Sequence, residues 1–191
     1  MKKKFGCIRV IMFVLLAWVL LNFTVGDGKT FIMKKLYPIE YQEYVEEYAA
    51  EFSLDKNLVY AVIKVESNFD KGAESVAGAK GLMQLMDKTA VECNKKGKFG
   101  YRIPSDLFVP ESNIRLGCYY LRHLIDIYKD AEMAIIAYNG GTGNVNKWLS
   151  DQNFSDGRGG LKQIPYEETR KYVKKVFKTF EIYNRLYKTN E

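Results

Sequence analysis

Glu66 stands at the end of a segment whose apolar pattern predicts a buried helix. Val59 and Ile63 lie seven and three residues before Glu66, so they share its face of that helix. Desolvation on an apolar face disfavours the charged carboxylate and raises its pKa towards neutrality. Lys64 points to another face, so no cation is predicted beside the carboxylate. A carboxyl group that keeps its proton near pH 7 can act as a general acid; an ordinary exposed or salt-bridged glutamate is the alternative.

The residues around Glu66 are predicted to lie on helices. Apolar and aromatic side chains recur at three- and four-residue spacing from Tyr41 to Tyr48, and Ser53 or Asp55 can cap the helix that ends at Glu66. Further helices are predicted after Asp87, from about Glu111 to Tyr128, ending near Tyr138, around Val145 to Leu149, and from about Glu167 to Tyr187. The alternation typical of strands is scarce, so the predicted fold class is mainly α.

Length and charge indicate one compact domain with a short appendage. The chain has 191 residues and a net charge of +6. Much of that charge comes from the N-terminus, where Lys2, Lys3, Lys4 and Arg9 precede the first acidic residue, Asp27. The remaining 25 basic and 23 acidic residues nearly balance. A nucleic-acid partner is therefore not expected, because such proteins carry a clustered basic surface.

The cysteines and the single histidine do not form a metal-ligand pattern. Cys7 lies near the N-terminus, and neither its distance to Cys93 and Cys118 nor the position of His123 fits a zinc site. Cys93 and Cys118 are interpreted as buried free thiols. A disulfide between them is the alternative if the domain lies outside the cell, where disulfides persist. His123 is interpreted as a surface or packing residue of a helix.

The apolar run from Val10 to Val25 predicts an N-terminal membrane anchor. It is interrupted only by Asn22 and Thr24, and it approaches the ~17–20 residues of a spanning helix. The preceding lysines favour a cytoplasmic N-terminus. A cleaved signal peptide is the alternative, although Thr24-Val25-Gly26 is a poor cleavage site. Residues 1–26 are assigned to the anchor or signal segment, 27–36 to a linker, and 37–191 to an extracytoplasmic domain of a single-pass membrane protein, with a secreted form left open.

Five motifs occur in a fixed order from Glu66 onwards. They are Glu66-Ser67-Asn68-Phe69-Asp70, Gly78-Ala79-Lys80-Gly81-Leu82-Met83-Gln84-Leu85-Met86, Leu107 to Gly117, Ala137-Tyr138-Asn139-Gly140-Gly141, and Ile164 to Val173. This ordered set resembles the soluble-lytic-transglycosylase (SLT) domain, a lysozyme-like helical fold that cleaves peptidoglycan between N-acetylmuramic acid and N-acetylglucosamine. The resemblance covers roughly Tyr37 to Tyr187. It implies a lysozyme-like helical domain behind an N-terminal transmembrane helix.

The resemblance implies roles for individual residues. Glu66 matches the family's catalytic glutamate, which acts as both acid and base. The positions that the family uses to contact the saccharide correspond here to Ser75, Gln84, Met86, Tyr138, Asn139 and Glu168. An ion pair between Arg115 and Glu168 is an alternative, structural use of that glutamate. Asp87 and Thr142 depart from the pattern, since proline is common at both positions, and Asp87 is expected to cap the following helix.

The resemblance also implies chemistry with a single carboxylate. Glu66 would protonate the leaving oxygen, the substrate's N-acetyl group would stabilise the developing cation, and the sugar's 6-hydroxyl would close a 1,6-anhydro ring without water. Ordinary glycoside hydrolysis uses two carboxylates, and the motifs supply one. We expect peptidoglycan strands as the partner, no metal or cofactor, and a monomer. The alternatives are a hydrolytic lysozyme-type muramidase assisted by a loop aspartate, a catalytically silent wall-binding module, and a membrane-active helical protein.

Overall fold

The structure, a computed structural model, describes residues 11–16, 18 and 28–187, and the chain divides into two compact units, Met1–Pro38 and Ile39–Glu191. In the first unit, residues 11–16 and 28–36 are helical, so most of the predicted linker is helix. Of the apolar run Val10 to Val25 on which the predicted anchor rests, Val10, Ala17 and residues 19–25 lie outside the described residues. Within the part of the chain that is described, no helix has the length and apolar character needed to cross a membrane.

The second unit is helical, which confirms the predicted class. Its described residues form α1 (Gln42–Glu51), α2 (Lys56–Glu66), α3 (Asp87–Gly97), a short 3₁₀ helix (Ser105–Phe108), α4 (Pro110–Tyr128), α5 (Ala131–Gly140), α6 (Thr142–Ser150) and α7 (Glu167–Leu186). The seven α-helices lie where the periodicity predicts them. Sequence reasoning missed the 3₁₀ helix, and it missed three isolated antiparallel bridges, two of which link Lys80 to Glu74 and to Leu85.

Helix α2 lies in the interior because its sequence is apolar on most sides. Asp55 caps it, accepting a hydrogen bond from the Asn57 backbone N–H at 2.8 Å, so Asp55 rather than Ser53 is the cap. Residues 58–63 are all buried, and α2 packs along α7, where the Tyr60 ring stacks on Tyr183 with 5.5 Å between centroids. Each such side chain contributes about 1.5–3 kcal/mol by leaving water. The packing fixes the end of α2, where Glu66 lies.

Helix α4 forms the other centre of the unit, in contact with α1, α3 and α5. Cys93 on α3 and Cys118 on α4 are buried free thiols, which confirms that interpretation. His123 is partly exposed on α4. Arg115 forms an ion pair with Glu51 of α1 at 2.9 Å, so the predicted alternative of a pair with Glu168 is wrong. The cause is the α1–α4 packing, which brings Glu51 to the guanidinium.

Candidate active site

Glu66 is the last residue of α2, and a tight turn follows it. The Ser67 backbone N–H donates to the Ile63 carbonyl, and its hydroxyl donates to the Leu82 carbonyl at 2.8 Å, so the helix end is tied to a distant loop. Asn68 and Phe69 then adopt left-handed conformations with φ of 53° and 67°. These conformations cost about 1–2 kcal/mol per residue. The buried Phe69 ring helps to hold the turn, and the Glu66 carboxylate is left partly buried at the helix end.

The carboxylate of Glu66 has one short hydrogen bond. The Tyr172 hydroxyl on α7 donates to Glu66 Oε1 at 2.6 Å. Burial raises the pKa of Glu66 to about 7, and the Tyr172 hydrogen bond and the charge of Lys175 act in the opposite direction. The predicted rise in pKa is thus present. The expectation of no cation near Glu66 is wrong, because α7 packing brings Lys175 from a remote part of the sequence.

Tyr138 lies near the end of α5 and belongs to the same cluster. Its hydroxyl donates to the Met83 carbonyl at 2.8 Å, and its ring lies against Tyr120 with 5.3 Å between centroids. Burial and then the charge of Glu66 raise the pKa of Tyr138, and the same two causes act on Tyr172. The structure therefore brings Glu66, Tyr138 and Tyr172 together. Both phenols stay protonated at neutral pH and can act as hydrogen-bond donors.

Three of the predicted saccharide-contacting residues lie on the segment 73–87. The Ser75 hydroxyl accepts a hydrogen bond from the Ala79 backbone N–H at 2.9 Å. Gln84, at φ of 47°, donates its amide hydrogens to the carbonyls of Ala73 and Gly81 at 3.1 and 2.9 Å. Its amide oxygen accepts no hydrogen bond from the described residues, and Met86 is 44% exposed. The segment thus uses much of its polar capacity internally and presents an amide oxygen and a thioether.

Asn113, to which sequence reasoning gave no role, holds this segment against the core. It is fully buried on α4, and its amide nitrogen donates to the carbonyls of Lys80 and Leu107 at 3.0 and 2.8 Å. Its amide oxygen accepts from the Met83 backbone N–H at 2.8 Å. The backbone approaches so closely that a Cβ on Gly81, which has φ of 74°, would lie 2.1 Å from the Leu107 carbonyl oxygen. The feature of the sequence that could have identified Asn113 is its polar side chain on the apolar face of a predicted helix.

Lys80 ties the two ends of the same segment together. Its side chain is only 13% exposed, and its ammonium donates to the Gly78 carbonyl at 3.1 Å and to Asp87 at 2.9 Å, with Glu74 at 3.7 Å. The expectation that Asp87 caps α3 is wrong. Met86 occupies the cap position, Asp87 is the first helical residue, and its carboxylate is engaged by Lys80 instead.

The last two predicted residues lie on helix ends. Asn139 is exposed on the final turn of α5, directly after Tyr138. Glu168 is exposed on the first turn of α7, four residues before Tyr172, so both residues lie on one face of that helix. Tyr172, which donates a hydrogen bond to Glu66, is the residue of this cluster that sequence reasoning missed, although it lies within the motif from Ile164 to Val173. Its spacing from Glu168 was the signal that could have identified it.

The site thus consists of a partly buried, protonatable carboxyl group, Glu66, with two tyrosines near it in a helical domain. Residues 43–159 match the Transglycosylase SLT domain family, and the chain belongs to this family. It is 30% identical over 158 residues to the soluble lytic murein transglycosylase of Escherichia coli (strain K12), covering 81% of this chain and 24% of that protein. It is 32% identical over 169 residues to the membrane-bound lytic murein transglycosylase C of Edwardsiella ictaluri, covering 77% and 47%.

Solved structures of lytic transglycosylases also match this chain. The 70 kDa soluble lytic transglycosylase of Escherichia coli matches with a TM-score of 0.73 at 29% identity, over 85% of this chain and 27% of that one. The complex of the 70-kDa soluble lytic transglycosylase with bulgecin A matches with a TM-score of 0.76, over 87% and 27%. The lysozyme-like fold of the SLT family is thus confirmed. The chain spans about a quarter of the length of these soluble relatives.

Proposed function

We propose that this chain is a peptidoglycan lytic transglycosylase. It cleaves the β-1,4 bond between N-acetylmuramic acid and N-acetylglucosamine and leaves 1,6-anhydro-N-acetylmuramic acid ends. The observation that carries the proposal is the state of Glu66, a partly buried carboxyl group with a pKa of about 7 and a tyrosine donor at 2.6 Å. A carboxyl group with that pKa is half protonated at neutral pH, so it can give up a proton and take one back.

The proposed reaction uses Glu66 twice. In the first step, protonated Glu66 gives its proton to the glycosidic oxygen while the bond from that oxygen to the anomeric carbon breaks. The substrate's N-acetyl group stabilises the positive charge that develops on the sugar. In the second step, ionised Glu66 takes the proton of the sugar's 6-hydroxyl. The oxygen of that hydroxyl bonds to the anomeric carbon and closes the 1,6-anhydro ring. The Tyr172 hydrogen bond stabilises the ionised form that exists between the steps.

The neighbouring acidic residues support a route with one carboxylate. Asp70 accepts a hydrogen bond from the Gly72 backbone N–H at 2.8 Å, within its own turn. Glu74 and Asp87 lie against the Lys80 ammonium. Each of these three carboxylates thus has a contact within its own segment. Because Glu66 supplies both proton transfers, the reaction needs neither a metal nor an organic cofactor.

The substrate-contacting role of the remaining residues is part of this proposal. Glu168 and Tyr172 line one side of the site, and Tyr138 with Asn139 closes the end of α5. Ser75, Gln84 and Met86 on the segment 73–87 would contact the saccharide as well, and the amide oxygen of Gln84, which accepts no hydrogen bond from the described residues, can accept from a sugar N–H or hydroxyl.

Product analysis tests the proposal. The full chain is incubated with purified peptidoglycan, and the released fragments are separated and weighed by mass spectrometry. We expect fragments that end in anhydro sugar, which lack one water relative to reducing ends. Reducing ends would establish a hydrolytic muramidase, and bound but uncut strands would establish a wall-binding module.

The membrane attachment is a further part of the proposal. Residues 1–26 anchor the chain in the membrane, residues 27–36 are the linker, and residues 37–191 form the extracytoplasmic catalytic domain. The compact unit that begins at Ile39 supports the start of that domain. The basic N-terminus followed by an apolar run supports this orientation. Membrane fractionation with N-terminal sequencing tests it. A mature form that begins near Asp27 in the medium would instead establish a cleaved signal peptide.

A further inference from the structure

Residues 28–36, which the sequence predicts to be part of a linker, form a helix in the structure, here called the juxtamembrane helix. Three of its large apolar residues, Phe31, Ile32 and Leu36, are each more than half exposed. A single exposed apolar residue needs no explanation, but three within six positions of one short helix form a patch. A patch of this kind indicates a surface that binds something apolar.

The residue types of the juxtamembrane helix fit the surface of a membrane. Ile32 and Leu36 are four residues apart, so they share one face of the helix, and Phe31 lies beside that face. Between positions 28 and 36 the sequence has no acidic residue and three exposed lysines, Lys29, Lys34 and Lys35. Lysine stems lie along apolar surface while their ammonium groups reach its polar border. Basic helices with an apolar face bind in the headgroup region of a bilayer, where anionic lipids attract them.

The position of the juxtamembrane helix in the chain places it beside the proposed anchor. The apolar run ends at Val25, and an extended chain advances at most about 3.6 Å per residue, so Gly28 lies within about 11 Å of that end. Residues 11–16 of the run are helical and exposed, and they belong to the same compact unit, Met1–Pro38. With the run across the bilayer, the juxtamembrane helix begins at or just outside the lipid headgroups.

We propose that the juxtamembrane helix lies on the outer surface of the membrane. Phe31, Ile32 and Leu36 enter the boundary between headgroups and acyl chains, and the lysines bind the anionic phosphates of the headgroups. This inference rests on the proposed membrane attachment, which brings the helix to the bilayer. Its consequence is a short tether, because nine helical residues advance about 14 Å where an extended linker advances about 30 Å. The catalytic domain therefore acts on glycan strands close to the membrane.

Depth measurements on the full chain test the inference, after its reconstitution into vesicles of phosphatidylcholine and phosphatidylglycerol. An NBD fluorophore is attached at Ile32→Cys on the apolar face or, as the matched control, at Thr30→Cys, which points to another face. Both variants also carry Cys7→Ser, and the other two thiols, Cys93 and Cys118, are buried and so protected from the reagent. Iodide quenches a probe from the water, and nitroxide-labelled lipid quenches it from the bilayer.

We expect iodide to quench the probe at position 32 at least about threefold less than the probe at position 30, because an interfacial helix buries its apolar face about 5–10 Å deep. Lipid nitroxide should quench position 32 more strongly than position 30. Protection of position 32 from iodide without quenching by the lipid would overturn the inference, since a second copy of the chain or another protein surface would then cover the patch.

The triple variant Lys29→Gln/Lys34→Gln/Lys35→Gln tests the role assigned to the charges. It should lose at least about half of the iodide protection at position 32, because each lysine near an anionic surface adds attraction. The matched control is a variant in which glutamine replaces three exposed lysines at the end of α3, Lys95, Lys96 and Lys98. The control should keep the protection. Equal protection in the two triple variants would overturn the binding of headgroup phosphates by these lysines.

Flotation of the vesicles separates this inference from the proposed attachment. A full chain that does not float with the vesicles would refute the membrane attachment and this inference together. A chain that floats while iodide quenches both probes equally would refute the inference alone and leave the anchor in place. The transglycosylase activity is tested separately, by the analysis of its products.

Discussion

The two sides of the Glu66 site are built differently. The helical side consists of α2 and α7, where apolar packing surrounds the Glu66 carboxyl group, which accepts one short hydrogen bond from Tyr172. The loop side consists of the segment 73–87, where backbone bridges, Asn113 and Lys80 occupy most polar groups. On the helical side, burial raises the pKa of Glu66 and so favours its protonated form. On the loop side, nearly complete hydrogen bonding creates a fixed shape.

The largest effect should follow from the helical side. Replacement Glu66→Gln keeps the shape of the side chain but removes its titratable proton, so we expect a loss of about 10²–10⁴-fold in kcat. The fold should persist, because glutamine can still accept the Tyr172 hydrogen bond. Release of soluble fragments from peptidoglycan measures the loss, and circular dichroism checks the fold.

Asp70→Asn is the matched control for Glu66→Gln. It also removes one carboxylate near the end of α2, from a residue whose side chain accepts a hydrogen bond from the Gly72 backbone N–H within its own turn. Activity within about threefold of the wild type is expected. If Asp70→Asn lost as much activity as Glu66→Gln, a mechanism with two carboxylates would replace the proposed one.

The next effect should appear on the loop side as lost stability. Asn113→Ala removes one donor group and one acceptor, which leaves the Met83 N–H and the Lys80 and Leu107 carbonyls without this partner. Buried groups left in this way cost about 1–3 kcal/mol each, so we expect a decrease of about 3 kcal/mol in the free energy of unfolding. Urea denaturation measures it.

Asn146→Ala, at an exposed position on α6, is the control for Asn113→Ala. It should change the free energy of unfolding by less than about 0.5 kcal/mol. A decrease below about 1 kcal/mol for Asn113→Ala would show that the loop side holds its shape without this side chain.

On the helical side, sequence patterns predict the helices and their buried faces, but they do not predict the contacts between helices. Val59 and Ile63 place Glu66 on a buried face through spacing within one helix, which is a local property. Tyr172 contacts Glu66 across 106 positions of sequence, and periodicity carries no information about such a pairing. The same limit applies to Lys175, whose charge reaches Glu66 only because α7 packs on α2.

On the loop side, only the resemblance to a family identified the residues. Ser75 and Gln84 lie in a segment without helical or strand periodicity, and its shape depends on Asn113, 30 positions from Met83. Asp87 shows the cost of judging a residue by its neighbours alone. Its place before a helix suggested a cap, but the Lys80 ammonium, brought close by the bridge between Lys80 and Leu85, engages its carboxylate.

A smaller effect should distinguish the contribution of burial to the pKa of Glu66 from that of the Tyr172 hydrogen bond. With a pKa of about 7, the proton needed for the first step is lost as the pH rises through that value, so activity should fall on the alkaline side near pH 7. The Tyr172 hydrogen bond lowers this pKa. Tyr172→Phe should therefore move the alkaline limit upward and, because Glu66 loses its positioning contact, reduce kcat by about tenfold.

Tyr128→Phe is the control for Tyr172→Phe, since its hydroxyl contacts only Asn146 at 3.3 Å among the described hydrogen bonds. A pH–rate profile on soluble glycan chains compares the variants. An alkaline limit near pH 4 in the wild type would mean that Glu66 behaves as a solvated carboxylate. An unmoved limit in Tyr172→Phe would mean that the hydrogen bond contributes nothing to the pKa.

The smallest effect should come from Asp87→Pro on the loop side. Asp87 is the first residue of α3, where the backbone N–H has no acceptor within the helix, so proline removes no helical hydrogen bond there. Met86 before it is extended, with φ of −72° and ψ of 140°, which is the conformation favoured before proline. Proline also restricts the unfolded chain, which stabilises a protein by about 0.4–1 kcal/mol at a compatible site. The variant loses the ion pair to Lys80, but an ion pair with a half-exposed carboxylate contributes little.

These opposing contributions should nearly cancel in Asp87→Pro, so we expect a Tm within about 3 °C of the wild type and activity within about threefold. Asp87→Ala, which loses the ion pair without gaining the proline restriction, is the matched comparison and should melt slightly below Asp87→Pro. If both variants lost activity by tenfold or more at an unchanged Tm, the Lys80–Asp87 pair would be setting the position of Gln84 and Met86. The shape of the loop side would then depend on a surface charge, and its contrast with the helical side would be much weaker than the buried contacts of Asn113 imply.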